Sequence, residues 1–190
     1  MPEFSDEWSA ELEGAVQASG NGGFDRRAWF ATGGVKRSFG LPGDTPAYVS
    51  ANGLFLSGDD PDTARREDFN VLYGRYPWIS ELMLYAFDGD GVGTWRNLAQ
   101  AWLELGASPG GSKANKLKFT AGPVWAPESD GAGGGSFRGW LETAFWAFPL
   151  AKGPAGDLTG HLFLEVFEPG SYYESSKTAF FFRWQLNWAF

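Results

Sequence analysis

Cysteine is absent from the 190-residue sequence, so it offers no disulfide framework, thiol nucleophile or Cys-ligated zinc site. Histidine occurs once, at His161, which excludes multi-histidine metal centres and makes any Ser–His–acid triad depend on that one ring. Basic residues are few and scattered: 15 Lys and Arg against 23 Asp and Glu give a formal charge of −8. That balance argues against nucleic acid and anionic membrane as partners. No apolar run approaches the ~18 residues of a membrane-spanning helix. The N-terminus, Met1-Pro2-Glu3-Phe4-Ser5-Asp6-Glu7, has acids where a secretory signal carries positive charge. These absences lead to the expectation of an unexported chain with no membrane partner.

Aromatic side chains are abundant, with 17 Phe, 10 Trp and 6 Tyr. They suit broad pleated surfaces. The 43% apolar content supports a core, and 27 Gly with 11 Pro imply many short turns. The length predicts a single domain over 1–190. Two helices are predicted. One covers the Ser5–Ser19 region within an N-terminal arm, 1–23, where Trp8, Leu12, Ala15 and Val16 recur at helical spacing behind a Ser5 cap. The other is Thr94–Leu105, with Trp95, Leu98, Ala99 and Trp102 on one face and Gly106 as its stop.

Short strands are expected between Arg27 and Gly58, a buried one over Ile79–Phe87, and another over Lys116–Ala121. The stretch 137–190 reads as a three-stranded meander: Phe137–Phe148, Leu158–Glu168 and Thr178–Phe190. In its last strand Phe180, Phe182, Trp184, Leu186 and Trp188 alternate with Arg183, Gln185 and Asn187, which assigns the apolar row to the core. The same logic in the middle strand places Leu162, Leu164 and Val166 inside and His161, Phe163, Glu165 and Phe167 outside. The architecture expected is mainly β, an antiparallel β-sandwich or jelly-roll with two short helices.

Nucleotide and calcium motifs fail on spacing. Gly89, Gly91 and Gly93 are followed by Thr94 where a third fingerprint glycine belongs, and Asp88 and Asp90 would repel a pyrophosphate. An EF-hand starting at Asp88 would need ligands where Val92 and Ala99 stand. The Gly106–Lys113 loop has Ser112 in place of the P-loop lysine. No cofactor or metal is expected.

Three functions then compete. Phe163, Phe167 and Phe181, read as an exposed patch, predict an interface with copies of the chain or other subunits. The acidic, cysteine-free, aromatic β pattern resembles small β-sandwich proteins of phage virions, such as capsid decoration or tail components. That resemblance implies a non-enzymatic structural assembly protein in a virion or in the producing cell's cytoplasm. A carbohydrate-binding β-sandwich would stack sugars on Trp140, Trp146, Tyr172 and Tyr173. A jelly-roll glycosidase would use Glu142 and Glu165 as its carboxylate pair. Tyr172-Tyr173-Glu174-Ser175-Ser176 resembles a catalytic strand of small xylanase-type hydrolases.

Overall fold

Much of the sequence alternates with period two, and in a computed structural model of the chain its long runs are β-strands. The structure describes residues 7–20, 25–70, 79–83, 96–112, 114–129, 131–154 and 156–190. Eight strands form one sheet: β1 (Trp8–Ser19), β2 (Arg26–Leu41), β3 (Thr45–Leu56), β4 (Leu98–Ala107), β5 (Lys116–Trp125), β6 (Phe137–Gly153), β7 (Gly156–Pro169) and β8 (Ala179–Ala189). Each strand is antiparallel to the next, in chain order. The C-terminal meander is therefore the last part of a longer one.

Both predicted helices are corrected to strands. Trp8–Ser19 is β1: its even positions Trp8, Ala10, Leu12, Val16 and Ala18 are apolar, and Glu11, Glu13, Gln17 and Ser19 lie on the other face. Trp8, Leu12 and Val16 satisfy a period of four and a period of two alike, and cross-strand pairing with β2 selects the second. Leu98–Ala107 is β4, and the Thr94 and Trp95 of the predicted helix lie outside the described residues. The short strands expected before Gly58 merge into β2 and β3, which run through Gly33, Gly34 and Gly53. Gly33 is required by close approach: a Cβ there would stand 2.8 Å from the Glu11 carbonyl oxygen on β1.

The connections fall into two classes. At one end of the sheet they are 42–44, 108–115 and 154–155; at the other they are 20–25, 57–97, 126–136 and 170–178. In the first, Gly43 (φ 78°) and Asp44 (φ 50°) take the left-handed turn conformation that matches strand twist. A 3₁₀ turn at Pro109–Gly111 fills the second. The ends are called the turn end and the loop end below.

Burial reverses the expected faces. On β4, Leu103 and Leu105 are 60% and 51% exposed, while Gln100 between the same strands is 7% exposed. On β7 and β8, Leu164, Phe180, Phe182, Trp184, Leu186 and Trp188 are all exposed, and Phe167 and Glu165 are fully buried. Ladder partners share a face, so the outward row can be traced across the sheet from Trp8 through Arg37, Val49, Leu105, Phe119, Ala144 and Leu164 to Phe182. The other face curls around a common interior to which all eight strands contribute. A two-sheet sandwich does not describe this arrangement.

The fully buried apolar cluster of the interior gathers at the loop end. Phe30, Leu54, Leu56, Leu98, Val124, Leu141 and Phe167 from the strands pack there with Phe69, Leu82 and Met83 from the 57–97 connection. Within the Ile79–Phe87 stretch predicted as a strand, the described residues 79–83 form a bend that turns helical at Glu81, and they occupy the lumen. Residues 84–87 lie outside the described set.

Candidate functional site

The strand residues that point inward between the loop-end core and the turn end are mostly polar, with Trp102, Phe145 and Phe163 among them. They surround a cavity of about 1150 Å³. Its walls carry Glu11 and Glu13 on β1, Thr32 on β2, Tyr48 on β3, Gln100 and Glu104 on β4, Lys116, Lys118 and Thr120 on β5, Thr143 on β6, Glu165 on β7 and Arg183 on β8.

Cross-strand bonds tie these walls together. Tyr48 donates its hydroxyl to Glu104 at 2.7 Å, and Lys118 lies 3.5 Å from the same carboxylate. Burial, with the adjacent Glu104 carboxylate, pushes the Tyr48 phenol well above its ordinary range, so it stays a hydrogen-bond donor. Thr120 and Thr143 share a hydrogen bond of 2.6 Å.

The most heavily coordinated group is Glu165. Its carboxylate accepts from the Ser80 hydroxyl at 3.1 Å and from the backbone N–H of Glu81 at 3.1 Å and of Leu82 at 2.7 Å. Ser80 Oγ in turn accepts from the Met83 N–H at 2.9 Å. Two of the bend's free N–H groups are thus satisfied by a carboxylate on a strand, and a third by the bend's own serine. Arg183 on β8 pairs with Glu81 and lies over the Phe163 ring at 5.3 Å. Glu165 and Arg183 together latch the segment 79–83 into the lumen.

Burial raises the Glu165 carboxyl above its ordinary value, and the bonds from Leu82, Glu81 and Ser80 oppose the rise. A raised carboxyl binds its proton more tightly in the folded than in the unfolded chain. Its contribution to stability is therefore full below the unfolded value near 4.5 and is lost as pH rises through the folded value. The stability of wild type minus that of Glu165→Gln should accordingly decrease from pH 4 towards neutrality in denaturant titrations; a pH-independent difference would contradict this assignment. His161, also inward, is held below its ordinary value by burial first and by the Arg183 charge second.

The residues singled out from sequence are not brought together as expected. Phe163, Phe167 and Phe181 lie inside: Phe167 is fully buried, and Phe163 has the Phe145 and Phe181 rings at 6.4 and 6.3 Å. They form no surface patch, because the apolar row opposite them is the one turned outward. Glu142 pairs with Val166 whereas Glu165 pairs with Thr143, so the two carboxylates project from opposite faces of the sheet and cannot flank one bond.

Trp140 and Trp146 face outward. Tyr172 stacks on the Arg138 guanidinium at 4.5 Å and Tyr173 packs edge-on against Phe167 at 5.9 Å, so the four rings build no common platform. Among the described residues no group of three or more His, Asp or Glu is placed to hold a metal ion. Sequence reading missed Ser80, Glu81, Tyr48 and Glu104; the signal present was Gln100 and Glu104 four residues apart on one face of β4. No family model, curated protein or solved structure matches the chain.

Proposed function

We propose that this chain spans a lipid bilayer as an eight-stranded β-barrel with a filled lumen. The observation that carries the reading is the reversed burial, with an apolar face turned outward on all eight strands and a polar face enclosed. Water rewards the opposite arrangement, and a hydrocarbon surround rewards this one. The dimensions agree. Ten residues, the length of β4 and β5, rise about 25 Å at ~3.3 Å per residue and a tilt of ~40°, close to the apolar band of a membrane barrel.

Several outward aromatic rings lie towards the two ends of the strands. Trp29, stacked on Phe55 at 4.1 Å, Trp125 and Trp140 lie towards the loop end and Trp8 and Phe39 towards the turn end, while Phe119, Trp146 and Trp184 stand between them. The two shortest connections, 42–44 and 154–155, lie at one end and the longest, 57–97, at the other. No helix of the described residues is long and apolar enough to cross a membrane. Glu11 and Glu13 of β1 and Arg183 of β8 line one cavity. Closing the sheet at β1 and β8 would satisfy the edge groups that hydrocarbon cannot.

The latched segment and the apolar cluster block the loop end of the lumen, which supports a closed, membrane-anchored scaffold in preference to a diffusion pore. A purified chain refolded with phosphatidylcholine vesicles should float with them, acquire strand circular dichroism, and stay with them through alkaline washing, without releasing an entrapped dye. Recovery of a folded, lipid-free chain from the same mixture would overturn the reading.

The second reading is the assembly protein, in which neighbouring subunits cover the outward rows. It is favoured by the same exposure of Phe180, Phe182, Trp184 and Trp188. It requires cover on all eight strands, which lipid supplies more simply, and it predicts a defined oligomer by light scattering without detergent.

A further inference from the structure

Resting on the membrane reading, we infer that Glu142, with the Trp140 indole beside it, holds the primary ammonium of an ethanolamine-type lipid headgroup. Glu142 belongs to the outward row Leu103, Ala121, Glu142, Val166, Phe180, whose other members are apolar. Arg37, the other charged residue well inside the outward rows, is engaged by Glu7 at 3.3 Å and by the Trp8 ring at 5.6 Å. Among the described residues Glu142 has no hydrogen bond or ion pair, and its cross-strand neighbours Ala121 and Val166 have none to offer.

An ionised group on a hydrocarbon-facing surface is costly unless a partner of opposite charge meets it. Its position selects that partner. Trp140 is the next outward residue towards the loop end, in the aromatic belt, and lies about 7 Å away along the strand. With the strand tilted, the carboxylate sits about 5 Å inside the belt, within reach of the headgroup layer. An ammonium placed there meets the carboxylate and the indole face together, with Glu168, directly opposite Trp140, on its outer side. A primary ammonium donates hydrogen bonds to a carboxylate; a quaternary choline cannot.

The test uses the full chain in vesicles of phosphatidylethanolamine, phosphatidylcholine and phosphatidylglycerol in equal parts, followed by mild detergent extraction and native mass spectrometry of retained lipid. Wild type should retain phosphatidylethanolamine about threefold to tenfold over phosphatidylcholine. Glu142→Gln and Glu142→Leu, both easier to place against hydrocarbon than the carboxylate, should retain the two equally. No preference in wild type, or one unchanged in both variants, would overturn the inference while leaving the barrel intact. So would a dimer mass abolished by Glu142→Gln, since it would assign the carboxylate to a second copy. A chain that fails to enter the vesicles removes the barrel reading and this inference with it.

Discussion

Leu103→Arg should destabilise the vesicle-inserted protein by about 2–4 kcal/mol, the cost of a cation near the midplane of a membrane barrel. Leu103 is 60% exposed, in the middle of β4, so in an aqueous protein the same substitution would fall within about ±0.5 kcal/mol. The two solvents therefore predict different numbers for one substitution. Val35→Arg, two ladder steps along the same row through Ala51, should also destabilise, by an amount set by its own depth on the tilted strands, because the ladder places both side chains outward. Urea titration of inserted protein, followed by tryptophan emission, gives the difference directly. A cost below about 0.5 kcal/mol for both would mean that these rows do not face hydrocarbon. Loss of an oligomer with unchanged stability of the single chain would point to the assembly reading.

The period-two pattern of β6, β7 and β8 was legible in the sequence, as was their meander, because turns at Lys152–Gly156 and Pro169–Ser171 separate the runs. The sign of the faces was not. Alternation states that Phe182 and Arg183 point opposite ways, and it contains no statement about which side is wet. Assigning the apolar row to a core presupposes water outside, and that premise misplaced Phe163, Phe167 and Phe181.

β1 was misread for a different reason: Trp8, Leu12, Ala15 and Val16 fit a helical stripe, and only the pairing of Val16 with Trp29 and Leu12 with Gly33 decides for a strand. Glycines in β2 and β3 looked like breaks because sequence does not show that Asn52 packs over Gly34. The Ser80–Glu165 latch joins residues 85 positions apart, and no local spacing announces it. Its only trace was a carboxylate between Leu164 and Val166 on β7, which the glycosidase hypothesis took as catalytic.

Glu165→Ala should cost about 3–5 kcal/mol, the largest effect expected from any lumen residue, because removing one side of a buried polar network leaves the other side unsatisfied. The side left behind is specific: the Ser80 hydroxyl and the N–H groups of Glu81 and Leu82 lose their common acceptor in a place water enters poorly. Glu165→Gln keeps one acceptor oxygen and should cost less, about 1–3 kcal/mol. Arg183→Ala should cost about 1 kcal/mol, since the Arg183–Glu81 pair is part-exposed and screened. The two sites act on one segment, so their effects should be non-additive in a double-mutant cycle. Hydrogen exchange supplies the readout that separates a latch from a general packing defect. In Glu165→Ala the amides of Leu82 and Met83 should lose protection while ladder amides such as those of Leu105 on β4 and Phe119 on β5 keep theirs. If protection falls evenly across the ladder, Glu165 supports the whole barrel and the segment is not separately held. If it falls nowhere, the bend is fixed by Leu82 and Met83 in the apolar cluster, and the carboxylate is dispensable.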